Sequence, residues 1–404
     1  MTPEVSESTL VRQIVWLSFA AFASAFSARV SDPLLPQLAT SFAVTTGQAA
    51  QAVSAFALAY GVLQLFYGPL GDRYGKYRVV VVTTLASAIG ALGSAVALEF
   101  DWLVACRFLT GATAAAIIPL SMAWIADRVP YHRRQHVLAY FLTGQIFGVV
   151  AGQMLGGILA DLTGWRGAFW SVLGFYLAVG ILLLLELRRA PAIDTAHDAG
   201  SQQIPYLARV AGILKTPWSL VVLSCAFTEG AILFGALAFI PSYLHHRFGI
   251  SLALAGSSFA MFGIGGLSYT SSAKYFVRKL GEQKLAAAGG GFLGLAFLTL
   301  IAGGHWLWVI PAAWFAGVGY YSMHNTLQIN ATQMAPLSRG TAVSLFACSF
   351  FLGQSTGVWL VSIIIDRLGF VTAFALAAVL LPAIGGFFAQ RLGSRAKLLP
   401  RAGR

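Results

Sequence analysis

Apolar residues in this chain come in long runs broken by short polar stretches, and the pattern recurs about twelve times. The runs fall near 14–38, 48–70, 79–99, 102–124, 137–160 and 167–187, then 217–243, 252–273, 284–303, 306–330, 341–365 and 370–391. Each is close to the roughly 20 residues a helix needs to cross a hydrocarbon layer of about 30 Å. Only helices and closed barrels satisfy the backbone in lipid, and barrel strands would alternate polar and apolar at every second residue. These runs do not. The pattern therefore predicts an all-α membrane protein with twelve transmembrane helices, numbered here as spans 1 to 12.

The longest polar stretch separates spans 6 and 7, dividing the chain into 1–187, a linker 188–216 and 217–404. Its acids, glutamines, Gly200 and Ser201 predict a flexible connection. The two halves resemble each other at a constant offset of 205 residues: Arg73 and Arg278, Arg134 and Arg339, Gly148 and Gly353, Gly152 and Gly357, Asp161 and Asp366, Gly164 and Gly369, Phe169 and Phe374. A duplicated six-span unit follows, giving two pseudo-symmetric six-helix bundles.

Composition agrees: 58% of residues are hydrophobic and only 10% charged, against about 25% charged in soluble domains. A net charge of +12 could indicate nucleic acid. Its distribution says otherwise. Most basic residues fall in alternate loops and at the two ends, leaving Arg166, Arg247 and Arg367 on the opposite side. The positive-inside rule then places both termini in the cytoplasm, and the charge reports topology with no nucleic-acid partner. Cys106, Cys225 and Cys348 lie in separate apolar runs and read as buried, inert thiols. The first apolar run continues into a full span, so it reads as a span and not as a cleavable signal.

Between spans 2 and 3 lies Gly68-Pro-Leu-Gly71-Asp72-Arg73-Tyr-Gly75-Lys76-Tyr-Arg78. Its wording and position resemble the cytoplasmic loop signature of the major facilitator superfamily of secondary transporters. The resemblance implies a loop that helps switch the protein between states, with Asp72 held against the start of span 11 near Arg339 as a clamp. The alternative is that these charges only enforce topology. The second-half copy is worn, with Val277 where Asp72 would stand. Arg107-Phe-Leu-Thr110-Gly111 in span 4 resembles the family's Arg-x-x-Gln-Gly motif, with Thr110 replacing glutamine. Span 5 carries Gly148, Gly152, Gly156 and Gly157, resembling the Gly-x-x-x-Gly-Pro-x-x-Gly-Gly motif of antiporters, with Gln153 in place of proline. Glycines so spaced permit tight helix packing.

Charged side chains inside spans are costly and mark function or fixed pairing. Asp32 in span 1, with Arg29 one turn earlier and Arg107 at similar depth, is a proton-site candidate; a fixed Arg29–Asp32–Arg107 ion cluster is the other reading. Glu229, midway along span 7, is a second coupling candidate or a protonated interhelical link. In span 10, His324, Asn325 and Gln328 either bind substrate or bond to neighbouring helices. Gln145 and Gln354 are further cavity candidates. Trp165, Trp306 and Trp308 fit interfacial anchors.

There is no phosphate-cradling loop and no Cys/His metal spacing, so no enzyme chemistry and no cofactor are expected, with a proton gradient as the energy source. The resemblance implies a multi-pass inner-membrane protein of the drug:proton antiporter branch. It would export a small amphiphilic compound by alternating access and act as a monomer in the bilayer. The same fold could import a small organic anion using Arg29 and Arg107 as clamps. A membrane sensor or scaffold would require an extra soluble domain.

Overall fold

The computed structural model describes residues 7–189, 206–335 and 338–398. Among them every regular element is helical. Nine helical stretches are long and apolar enough to cross a membrane. Two of these are pairs of spans: Tyr131–Arg189 turns back at Gly164, and Ala260–Ala302 at Gly281. Val309–Thr332 is span 10, whose His324, Asn325, Gln328 and Asn330 lower its hydropathy. Twelve spans result, as the hydrophobic pattern predicts.

Span 1 starts at Glu7, beside the end of span 6: Arg12 makes a two-pronged ion pair with Glu186 at 2.7 and 2.8 Å. Trp218 at the start of span 7 stacks on Phe388 near the end of span 12. These contacts define a terminal end and an opposite, far end.

The repeat is structural. Gly148 and Gly152 leave no room for a Cβ beside the carbonyls of Phe22 and Phe26 in span 1. Gly353 and Gly357 do the same against Phe227 and Ala231 in span 7, and all four pairs keep the 205-residue offset. At the far end Gly164 (φ 74°) and Gly369 (φ 84°) make the corresponding turns in the left-handed region, which a side chain disfavours. Each half has its own apolar core, one around Phe26, Phe56 and Phe169, the other around Phe234, Phe297 and Phe374.

Close approaches between the halves gather toward the far end. Spans 2 and 11 (Arg339–Leu368) meet at Gly61 against Phe351, and the Ser355 hydroxyl donates to the Ser54 carbonyl at 2.8 Å. Spans 5 and 8 meet at Gly157 against Leu252 and at Gly256 against Gln153. Nearer the terminal end, Phe66, Tyr140 and Phe147 on spans 2 and 5 are exposed.

The linker 188–216 is not an extended connection throughout: Tyr206–Leu214 is a helix. Its apolar side, with Ile213 buried and Val210 partly buried, packs on the second half; burying that stripe outweighs the entropy of an extended connection. Residues 190–205 lie outside the described region. Trp165, beside the turn at Gly164, is buried within the protein, and its indole N–H donates to Ser41 Oγ at 3.0 Å.

Candidate functional site

Span 1 cannot run straight through. Its α-helix ends at Arg29, and Pro33 and Pro36 lack the N–H groups that would continue it. The chain passes through a 3₁₀ turn, Asp32–Leu34, and resumes at Leu35–Phe42. Asp32 sits at this break, wholly buried. One carboxylate oxygen, Oδ2, lies 3.6 Å from the Arg29 guanidinium and accepts from Gln153 Nε2 at 2.6 Å. Oδ1 has no hydrogen-bond partner among the described residues. Gln153 therefore occupies the motif's proline position with a function of its own: it carries the amide that holds Asp32 across from span 5. The sequence reading saw only a missing proline.

Arg29 also reaches the other half. Its guanidinium donates to Gln354 Oε1 of span 11 at 3.3 Å and lies 4.2 Å from the centre of the Phe234 ring. Gln354 is thus brought into the Asp32 cluster.

Arg107 is not. Its guanidinium donates to the Ser27 carbonyl at 2.8 Å, to Ser27 Oγ at 3.3 Å and to the Ala52 carbonyl at 3.3 Å. Ser27 lies in the last turn of the first segment of span 1, where carbonyls lack helical partners. Phe56 and Phe169 cover the cation at 4.5 and 5.6 Å. The expected three-membered ion cluster is replaced by an Arg29–Asp32–Gln153 group, with Arg107 tying spans 1, 2 and 4 through backbone acceptors.

Span 7 has its own irregularity. Pro217–Glu229 is α-helical, Gly230–Phe234 is a π-turn, and the helix re-forms as Gly235–Leu237 and Ile240–Phe248. Such turns widen a helix by one residue and concentrate at functional sites. Glu229 immediately precedes it, wholly buried, with Oε2 2.8 Å from Nδ1 of His324 and Oε1 unpartnered among the described residues. Which of the two atoms donates depends on the tautomer of the ring. Tyr320 stacks on His324 at 4.7 Å, and Phe350 meets it edge-on at 4.9 Å. Two side chains singled out separately in the sequence are one dyad.

The acids are not repeat equivalents. Subtracting the offset puts Glu229 at the register of Ser24, eight residues from Asp32. At about 1.5 Å per residue that is about 12 Å nearer the terminal end.

Asn325 and Gln145 are half-buried, and Gln328 is exposed; none joins either cluster. Of the glycine motif, Gly148, Gly152 and Gly156 press against span 1, whereas Gly157 presses against span 8 of the other half. In the loop signature Gly75 (φ 94°) makes the turn and Gly71 packs on Leu120, while Gly68 faces open space. Lys76 bridges Asp127 at 2.6 Å and Asp72 at 3.4 Å, and Arg73 lies over Tyr74. Arg78 also has a partner. The expected clamp is not formed: Asp72 pairs within its own loop, and Arg339 and Gly340 are exposed. With the halves joined toward the far end, the start of span 11 is not drawn against span 2.

The fold of two paired helical bundles has counterparts among solved structures. The structure superposes on the nucleoside transporter NupG with a TM-score of 0.75 at 12% identity, covering 95% of this chain and 99% of that one. A peptide transporter, POT, matches with a TM-score of 0.76 at 14% identity over 95% and 94% of the two chains. In sequence, the uncharacterized MFS-type transporter YwfA of Bacillus subtilis is 29% identical over 62% of this chain, a match spanning 60% of YwfA. YceJ of the same organism is 25% identical over 85% of this chain and 87% of its own length. A chloramphenicol resistance protein of Streptomyces lividans is 27% identical over 63% and 64%. The family model of the Major Facilitator Superfamily matches residues 17–358. With that match across both repeats and the shared fold, the chain belongs to the major facilitator superfamily of membrane transporters.

Proposed function

We propose that this transporter exports small amphiphilic compounds, neutral or cationic, in exchange for protons entering the cell. The observation that carries the reading is a pair of wholly buried carboxylates, Asp32 in the first half and Glu229 in the second, each with one unpartnered oxygen. They lie at different depths, so together they form two stations for an inward-moving proton. Each proton contributes about 2.3 kcal/mol per 100 mV of membrane potential.

The cycle follows from the contacts. Ionised Asp32 holds Arg29, and Arg29 holds Gln354 and the Phe234 face across the interface. A proton taken up by Asp32 removes the charge that orients Arg29 and loosens the link between halves. The Glu229–His324 dyad takes the proton next and passes it toward the terminal end, the cytoplasmic one in this reading. Substrate is carried the other way as the halves rock. Both stations lie in one chain, so a monomer suffices.

Export is supported by the span 5 glycine face and by the relationship to a chloramphenicol resistance protein. The anion-importer reading loses ground because both arginines are buried and engaged, Arg29 by Asp32 and Gln354, Arg107 by backbone carbonyls. Neither is presented as a carboxylate clamp.

The test uses inside-out vesicles with an acid interior and a lipophilic cation or chloramphenicol as cargo. Uphill accumulation is expected, lost in Asp32→Asn although exchange at equal pH survives, and reduced in Glu229→Gln more for the cation than for the neutral compound. Uptake of a carboxylate by whole cells, competed by other carboxylates and lost in Arg107→Ala, would overturn the assignment.

A further inference from the structure

Asp161 and Asp366 are repeat equivalents for which the coupling reaction has no use. Asp161, at the far end of span 5, accepts from the backbone N–H groups of Leu252 at 3.3 Å and Ala253 at 2.7 Å, where span 8 of the other half begins. Asp366, at the far end of span 11, accepts from the N–H of Gly47 at 3.1 Å and the Thr45 hydroxyl at 2.6 Å, where span 2 begins. The acids differ by 205 residues, and so do Gly47 and Leu252. One half caps the other, twice, about a pseudo-two-fold axis.

Both helix starts divide their donors in the same way. Each has its own N-cap, Thr45 accepting from Gln48 N and Ser251 from Leu254 N. The N–H groups of the first turn that the cap does not reach are left to the acid of the opposite half. The carboxylate charge also lies at the positive end of the helix dipole. Fit is close: a Cβ at Gly47 would run into the Asp366 carboxylate, and Gly157, one turn before Asp161, touches the Leu252 carbonyl.

We propose that Asp161 and Asp366 form a double latch that closes the far end and sets how much of the protein occupies the arrangement seen here. They are positioning residues for the alternation of the two halves and touch no substrate. To expose a central site at the far end, spans 5 and 8 and spans 2 and 11 must part there, and both sets of hydrogen bonds break together. The latch operates whichever compound is carried and in whichever direction.

The test is a distance distribution between spin labels at Leu98→Cys and Leu307→Cys, exposed on the far-end turns of the two halves, with the native cysteines replaced. Losing a cap corresponds to about 1 kcal/mol, about a five-fold change in ratio. Asp161→Ala and Asp366→Ala should each raise the far-end-open to far-end-closed ratio about five-fold, and the double variant about 25-fold if the sites act independently. Asp161→Asn and Asp366→Asn keep one of the two acceptor oxygens but lose the charge, and should shift the ratio less than alanine does. Should an alanine variant fail to fold, Asp161→Ser, whose hydroxyl is too short to span the gap, gives the same readout. An unchanged distribution in the double alanine variant, or asparagine variants shifted as far as alanine, would overturn the latch.

Discussion

At the scale of single residues, Asp32 is held by two groups of different kind. Arg29 supplies charge at 3.6 Å, and Gln153 supplies a short amide hydrogen bond at 2.6 Å. A hydrogen bond to a charged group contributes about 1.5–3 kcal/mol. Gln153→Leu should therefore slow gradient-driven transport at least ten-fold with little effect on exchange at equal pH, measured in the same vesicles. Equal losses in both assays would make Gln153 a packing residue. His324→Phe keeps the aromatic stack with Tyr320 and Phe350 but removes the ring nitrogen facing Glu229, and should match Glu229→Gln in its cation defect. The charged members of the site are legible in the sequence because a polar side chain within an apolar run is conspicuous. Their partners are not. Glu229 and His324 are 95 positions apart, Asp32 and Gln153 121, and no local pattern encodes such pairings.

Helices and loops add constraints that follow from close packing. The glycines of span 5 and their repeat copies in span 11 let two helices approach to backbone contact. Gly148→Val and Gly353→Val should each lower the thermal unfolding midpoint in detergent, since overpacking costs about 1–3 kcal/mol. Gly174→Ala, with no atom near the added methyl, should be neutral or slightly stabilising. Similar midpoints for all three would remove the packing argument. In the loop after span 2, Asp72 is about half exposed and, among the described residues, forms an ion pair with Lys76. Exposed pairs contribute about 0–1 kcal/mol, so Asp72→Asn should leave the thermal midpoint of this arrangement almost unchanged. A large drop would show that the loop supports the fold beyond this pair. The loop and its glycines are legible in the sequence, whereas the partner of Asp72 is Lys76 of the same loop and not the start of span 11.

For the molecule as a whole, the separation of the halves is the variable that transport must change. Ser355 of span 11 touches the Ser54 backbone of span 2 in the closed far end. Ser54→Cys with Ser355→Cys should crosslink on oxidation, arrest transport and recover it on reduction; free transport in the crosslinked protein would contradict rocking at this interface. By itself the sequence determined the span count, the internal repeat and the identity of the intramembrane charges. These depend on local hydrophobicity and on composition, which survive without coordinates. Tertiary structure alone decided which charges pair, that Gln153 serves Asp32, that Arg107 rests on backbone carbonyls, that a helix lies within the linker, and that Asp161 and Asp366 cap helices of the opposite half. Such contacts are set by how rigid helices cross and which end of the bundle is closed, and that geometry comes from packing over the whole chain.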